Sequence, residues 1–410
     1  MFKAIIIGSG PAGLTAAITC AENGLDVLVI DEYMSAGGRL LGQLYEQPDG
    51  SWWNGLRESK NLYTTAISLG VKFHFNTSVN NIEKRNNRWV VYTEKGTFYT
   101  ENLLLATGAA ESPVPVPGWT LPGVMSVGAA QVMTNVHRVK PGKRGVIIGV
   151  NVLSSVIAME LHLAGVEIAC LTLPKMNSIA NKEGNPSQVL DSLLHVSHMA
   201  TSPLIRYGSK LLKNDFIKNL GIHFYPKKGF KMWNTPIQLR KAVIEIYGKD
   251  EVEGVVVAAI KANGEVVPGS EERIQADFVC IAGGLYPLVE LAALAGCPFF
   301  LVEELGGHVP LHSEKMETPL EGLFVAGNIT GIEGAKVAAA QGRTAGLAMA
   351  IHSGIKGLDT EIRHSMDMVK QTRESADIQF HPEIEVGRKR ILREWEISQT
   401  SKQNHEALMG

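Results

Sequence analysis

The chain has few cysteines and none placed to work together. Of its 410 residues only Cys20, Cys170, Cys280 and Cys297 are cysteine, each alone in an apolar stretch. No CxxC, CxxH or ferredoxin-type run exists, so no dithiol redox centre, zinc site or iron–sulfur cluster can be read in this sequence. Buried, inert thiols in a reducing compartment fit instead. Charge imbalance is also lacking. With 39 basic against 41 acidic residues, the net charge of −2 gives no whole-chain reason to expect nucleic acid or an anionic membrane. Long apolar runs are missing too. The uncharged stretch Ala4–Ala21 imitates a leader or a span, but Gly8, Gly10, Pro11 and Gly13 interrupt it. No other run approaches the ~18 apolar residues that a transmembrane segment requires. What remains, 45% hydrophobic and 20% charged, is ordinary globular composition. The expectation is a soluble, cytoplasmic protein of two domains.

A pattern of strand, Gly-rich turn, helix and strand occurs twice. AIIIGSGPAGLTAAITCAENGLDVLVID begins at Ala4, and GVIIGVNVLSSVIAMELHLAGVEIACLT begins at Gly145. A constant offset carries Gly8 onto Gly149, Gly24 onto Gly165 and Asp31 onto Thr172. Two such βαβ units predict an α/β fold with two Rossmann-type parallel-sheet domains. Between Val71 and Ala106 the pattern changes to short strands, VKFHF, RWVVYT, TFYT and LLLAT, turning at Asn86-Asn87 and Lys95-Gly96. These predict an antiparallel β-meander.

Pro/Gly-rich ESPVPVPGWTLPGV (Glu111–Val124) reads as a crossover linker. GLFVAGNITG needs a parallel sheet to join, so the second domain is expected to be inserted in the first. The boundaries are 1–120 with 285–355 for the first domain, 125–284 for the second and 356–410 for a charged tail. The tail reads as a solvated helix or as a docking element, one that could serve a subunit contact. Asn177–Ile222 reads as helical without evident chemistry.

GSGPAG at Gly8–Gly13 follows a strand and opens a helix. Gly8 permits the tight turn, Gly10 lets backbone approach a pyrophosphate, and Gly13 lets helix and strand pack closely. The helix N-terminus then offers unpaired N–H groups to phosphate. Asp31, with Glu32 behind it, ends the second strand, where a carboxylate accepts ribose hydroxyls and repels a 2′-phosphate. AGGRLLGQ (Ala36–Gln43) follows, its paired glycines suiting backbone that passes close to a dinucleotide. LLLATGA then supplies a second small-residue strand end, and GLFVAGNITGIEGAKVAAAQG (Gly322–Gly342) a third turn and a Gly-rich helix start.

This set resembles the two-dinucleotide-binding-domain flavoproteins of glutathione and thioredoxin reductase type. The resemblance implies FAD as cofactor, framed by the ATG strand and the C-terminal turn. It places Gly8, Ser9, Gly10, Pro11, Ala12, Gly13, Asp31, Glu32, Gly38, Arg39, Gln43, Val79, Ala106, Thr107 and Gly108 at the cofactor. Gly327 and Asn328 stand at the family's AGD position, and Gly334, Ala335 and Lys336 at the flavin-facing helix start. Asn328 departs from the usual aspartate, since an amide both donates and accepts without charge. Lys336 reads either as a residue over the flavin's electron-accepting edge or as a helix-surface lysine. Arg39 and Gln43 are candidates for flavin or phosphate contact.

ATGAAESPVPVPGWTLPGVMSVGAAQ (Ala106–Gln131) narrows the resemblance. It is similar to the α (or A) subunits of hydrogen cyanide synthase, opine oxidase, dye-linked proline or hydroxyproline dehydrogenase and heterotetrameric sarcosine oxidase. In those complexes a D-amino-acid-oxidase-like β subunit oxidises a C–N bond on its own FAD, and the α subunit takes part in passing electrons onward. Many relatives add a Cys-rich [2Fe–2S] domain. The tail here has no cysteine, so a cluster would reside in a small separate subunit.

The second fingerprint is broken. GVNVLS puts Asn151 and Ser154 on its second and third glycines, and Thr172 with Leu173 replaces the ribose acid. A Rossmann shell without NAD(P) binding is expected. No constellation suggests substrate chemistry in this chain. The twelve histidines, His195, His198, His308 and His312 among them, read as structural or exposed. Trp52-Trp53 reads as core or interface packing, with stacking on a ring as the other reading. Three readings stay open: an FAD-binding α subunit of an amino-acid or amine dehydrogenase, a stand-alone NAD(P)H-dependent flavin oxidoreductase, and a non-redox nucleotide-binding scaffold.

Overall fold

The protein is described by a computed structural model covering residues 2–47, 50–195, 225–226, 229–232, 235–376 and 379–409. Its backbone contacts divide it into two compact units. One comprises Met1–Leu41, Asn54–Ala110 and Leu285–Gly410; the other comprises Gly42–Trp53 and Glu111–Gly284.

In chain order, β1 (Ala4–Ile7), α1 (Pro11–Glu22) and β2 (Val27–Ile30) open the first unit. α2 (Gly55–Ser68) and β3 (Lys72–His74) come next. β4 (Val79–Arg85), β5 (Arg88–Thr93), β6 (Gly96–Thr100) and β7 (Asn102–Leu105) follow. The second unit holds β8 (Val124–Ser126), α3 (Val127–Asn135), β9 (Arg144–Ile148), α4 (Val152–Leu163) and β10 (Glu167–Pro174). It continues with α5 (Pro186–His195), β11 (Thr235–Tyr247), β12 (Gly254–Ala259), β13 (Glu272–Gln275) and β14 (Phe278–Ile281). The chain then returns to the first unit with β15 (Leu323–Val325), α6 (Ala335–His352), α7 (Asp359–Glu374) and α8 (Ile384–Met409).

The first unit is built on a five-stranded sheet in the order β15-β7-β1-β2-β3, with every pairing parallel. β1, β2 and β7 are buried along their whole length, because helices α1 and α6 cover one face and Ile82, Trp89 and Val91 of the meander cover the other. α1 and α6 lie together on one face. A Cβ on Gly342 would stand 2.1 Å from the Ala12 carbonyl oxygen, and one on Gly346 2.7 Å from Thr19 Cβ. Only this small-residue seam lets the two helices approach so closely.

The expected meander is β4-β5-β6, turning at Asn86 and Asn87, whose φ values are 47° and 58°. Neither VKFHF nor LLLAT is part of it: the leucines of LLLAT lie in β7, which pairs parallel with β1 and β15. β3 pairs parallel to β2, because α2 intervenes as a crossover helix and parallel strands need such a connection. The first meander strand was missed because VNNIEKR is polar and mostly exposed.

The second unit carries the order β8-β14-β9-β10-β11-β12-β13, parallel as far as β11 and antiparallel beyond it. A register shift separates β9 from β10 after Gly145. The Gly149 N–H therefore bonds the Thr172 carbonyl, where the Gly8 N–H bonds that of Ile30. Leu173, not Thr172, is the true counterpart of Asp31, and the constant offset fails by one residue. Of the helix expected over Asn177–Ile222, α5 lies within the described residues; 196–224, with His198, lie outside them.

Candidate functional site

Four turns gather at the carboxyl edge of the first sheet. They follow β1 (Gly8–Gly13), β2 (Asp31–Gly38), β7 (Ala106–Gly108) and β15 (Ala326–Gly334). β1 sits where the strand order reverses, since the chain moves from β1 toward β2 on one side and β7 lies on the other. Ligands of open α/β sheets bind in the crevice at such a switch point.

The glycines of the first turn have separable roles. A Cβ on Gly8, whose φ is +101°, would meet the Ala106 carbonyl oxygen at 2.3 Å, and one on Gly13 the Gly8 carbonyl oxygen at 1.9 Å. Both are needed by the fold itself. Gly10 is different: a Cβ there would have no neighbour within 4 Å. Gly10 is the N-cap of α1 and has no side-chain cap, so the start of the helix is uncapped and has open space beside it. Gly334, the N-cap of α6, has the same two properties. Two uncapped helix N-termini, each with a partial positive charge, thus flank one crevice. A Cβ on Gly38 would come within 3.2 Å of Gly10 Cα, and one on Gly327 within 2.9 Å of Ala12 Cβ. The Gly38 and Gly327 turns therefore close on the first turn.

Asp31 holds this arrangement from the side. Its Oδ2 accepts from the Ser9 N–H and the Ser9 hydroxyl, both at 2.6 Å, and its Oδ1 accepts from the Tyr33 N–H at 2.8 Å. Oδ2 is thereby filled, while Oδ1 keeps room for one further donor such as a ribose hydroxyl. Glu32 is exposed beside it. Thr107 Oγ1 donates to the Leu288 carbonyl at 2.7 Å, and the Gly108 carbonyl accepts the Leu288 N–H at 3.1 Å. Asn328 Oδ1 accepts the Glu333 N–H at 3.2 Å.

The other expected residues lie as follows. Pro11 starts α1 and Ala12 is buried in it. Ala335 and Lys336 open α6, Lys336 exposed. The Arg39 guanidinium donates to the Ala109 carbonyl through Nε at 3.2 Å and Nη2 at 3.0 Å. Val79 packs against the apolar cluster around Ile30, Ile82 and Leu105. Gln43 groups with the other unit, where its Oε1 accepts from Trp53 Nε1 at 2.9 Å.

Sequence reasoning missed Glu333 and its partners. Its carboxylate is buried and accepts from Arg373 of α7 and Arg388 of α8. Burial works to raise its pKa, but the two guanidiniums outweigh it and hold the group below the usual carboxylate range. Part of the tail is therefore packed rather than solvated, since Arg373 and Arg388 are buried. Nearby His312 is buried, bonds the Pro310 carbonyl at 2.7 Å, and is pushed down to about 4 by burial and by Arg388.

The second fingerprint, in the other unit, is filled by its own side chains. Asn151 and Ser154 form a reciprocal capping box at the start of α4, and Asn151 Nδ2 donates to the Ala282 carbonyl at 2.9 Å. Leu173 is buried.

The four cysteines are free and buried. Among the described residues no group of three or more His, Cys, Asp or Glu could hold a metal ion, and no helix is long and apolar enough to cross a membrane.

The model of the pyridine nucleotide-disulphide oxidoreductase family matches residues 2–342. The chain is 28% identical over 365 residues to the A subunit of opine oxidase from Rhizobium meliloti (strain 1021), covering 85% of this chain and 71% of that one. It is 27% identical over 377 residues to the HcnB subunit of hydrogen cyanide synthase from Pseudomonas protegens, covering 86% and 71%. Its fold is similar to that of L-proline dehydrogenase from P. horikoshii, with a TM-score of 0.63 and 18% identity over 89% of this chain and 58% of that one.

Proposed function

The chain belongs to the pyridine nucleotide-disulphide oxidoreductase family and is an FAD-dependent oxidoreductase, and from that premise we propose that it is the FAD-binding α subunit of a multi-subunit amino-acid or amine dehydrogenase. The observation that carries this reading is the contrast between Gly10 and Asn151. The first fingerprint leaves its helix N-terminus open, whereas the second caps its own with Asn151 and Ser154. A chain with one dinucleotide cradle, and that one suited to FAD, must exchange electrons with something other than nicotinamide.

FAD, when bound, supplies reversible acceptance of two electrons and their release singly or together. The residues present fit it, because the space above Gly10 is the space a diphosphate needs. The first turn of α1 receives the phosphates, and Asp31 fixes Ser9 and accepts from the ribose. Asn328 and the start of α6 lie toward the flavin half, where the positive helix end favours negative charge on the ring. C–N bond oxidation then belongs to a D-amino-acid-oxidase-like β subunit with its own FAD. A small [2Fe–2S] subunit would carry electrons onward, since all four cysteines of this chain are buried apart from one another. The opine oxidase and hydrogen cyanide synthase subunits among the relatives support the assignment.

The test is to purify the chain alone and with the products of its neighbouring genes, and to follow the visible flavin band. The expected result is FAD in the first unit, no bleaching by NADH or NADPH, and bleaching by an amino acid or amine only in the complex. Efficient NAD(P)H oxidation by the isolated chain would overturn the assignment, as would a colourless complex holding only an adenine nucleotide.

A further inference from the structure

The tail helices α7 and α8 close on the turn that precedes α6, although both lie beyond the residues the family model matches. Arg373 from α7 donates Nε to Glu333 Oε1 and Nη2 to Glu333 Oε2, the latter at 3.2 Å. Arg388 from α8 donates Nη2 to Glu333 Oε2 and Nη1 to the Thr330 carbonyl at 2.7 Å and the Thr330 hydroxyl at 3.2 Å. The network then runs inward. Gln341 Nε2 donates to Glu333 Oε2 at 3.4 Å, and Gln341 Oε1 accepts the Gly327 N–H at 2.9 Å. The Glu333 N–H itself bonds Asn328. Glu333 and Thr330 are thus tied to the tail directly, and Asn328 and Gly327 through Glu333 and Gln341.

This clamp is costly to build. Two buried guanidiniums share one buried carboxylate, and Glu385, 3.8 Å from Arg373, is half exposed and cannot balance them fully. Arg388 Nε is buried with no partner among the described residues. Replacing such a cluster with apolar residues often stabilises a protein, so stability alone does not account for it. Position does, because the forks fix a turn that glycines would otherwise leave loose.

We propose that Arg388 and Arg373, acting through Glu333, are positioning residues for the flavin half of the FAD site. The proposal rests on the reading that FAD occupies the crevice between Gly10 and Gly334. It separates the two halves of the cofactor: the diphosphate cradle at α1 needs no tail, whereas the Asn328–Gly334 turn does.

The experiment measures FAD and ADP affinity of the apoprotein, by flavin fluorescence and calorimetry, for the full chain and for Arg388→Met, Arg388→Lys and Arg373→Gln. Arg388→Met should weaken FAD at least tenfold while changing ADP affinity less than twofold. Arg388→Lys keeps the charge without the fork and should fall between. Circular dichroism of each variant and the ADP arm guard against a variant that merely unfolds, with Arg373→Gln as the milder substitution. Equal loss of FAD and ADP, or unchanged FAD affinity in all three variants, would overturn the clamp. A full chain that binds ADP but never FAD would instead overturn the underlying reading, and the clamp with it.

Discussion

Asn151 Oδ1 accepts the Ser154 N–H at 2.9 Å, and Ser154 Oγ accepts the Asn151 N–H at 3.0 Å. These bonds satisfy the donors that Gly10 leaves open on α1. Transplanting the cap should therefore transplant the outcome. Gly10→Asn has room, with no atom within 4 Å of the new Cβ and φ at −71°. Asparagine is also among the better N-cap residues. The apoprotein should unfold at the same urea concentration or a slightly higher one, while FAD binding is lost. Conversely, Asn151→Ala should cost about 1 kcal/mol of stability and leave FAD affinity unchanged. Urea titration alongside flavin content checks both.

Gly13→Ala should behave in the opposite sense from Gly10→Asn. Its Cβ would lie 1.9 Å from the Gly8 carbonyl oxygen, a backbone atom that cannot rotate away. Overpacking of this kind costs roughly 1–3 kcal/mol or more. The variant should lose thermal stability even in the absence of FAD, which differential scanning calorimetry of the apoprotein would show.

Thiol chemistry gives a third test. Burial pushes the Cys20, Cys170 and Cys297 thiols up to about 12, and that of Cys280 upward as well. The thiolate is the reactive form, so an aromatic disulfide reagent should label none of the four in the native protein at pH 8 and all four in urea. A native thiol that reacts within minutes would contradict the buried, inert role.

The legible part of this protein was the part that its backbone demands. GSGPAG, the two βαβ patterns and the apolar strands announce themselves because turn geometry and double-sided burial restrict which residues can occupy them. The tail was illegible for the opposite reason. EVGRKRILREWEI looks like a solvated face, and nothing local marks Arg388 as buried while Arg390 is exposed. Glu333 and Thr330, far away in sequence, make that burial possible. VKFHF was misplaced because a three-residue strand has too little alternation to reveal whether its neighbour runs parallel. The offset to Thr172 failed because a register shift leaves no trace in a glycine count.

Glu160 supplies the last prediction. On α4 it is buried, with Oε1 accepting the Leu44 N–H at 3.0 Å and Oε2 accepting Gln131 Nε2 at 2.8 Å and Asn135 Nδ2 at 2.9 Å. Burial outweighs these three donors and pushes its pKa up to about 8 from an ordinary value of 4.5. The folded state therefore holds a proton that the unfolded chain has released throughout the window between those values. Stability from this group is complete below pH 4.5 and is lost as the pH rises toward 8, with a limiting slope of roughly 1.4 kcal/mol per pH unit. Glu160→Gln removes the titration while keeping the shape; the Gln131 amide can turn to present its oxygen to the new NH2, and Asn135 Nδ2 gives up its bond to position 160 but keeps the one to the Gly42 carbonyl at 2.7 Å. The variant should show a flatter stability profile from about pH 5 to 8 and should match or exceed the parent at the upper end. Parallel urea curves across that range decide it: an unchanged slope in the variant would mean that Glu160 is ionised in the native protein throughout.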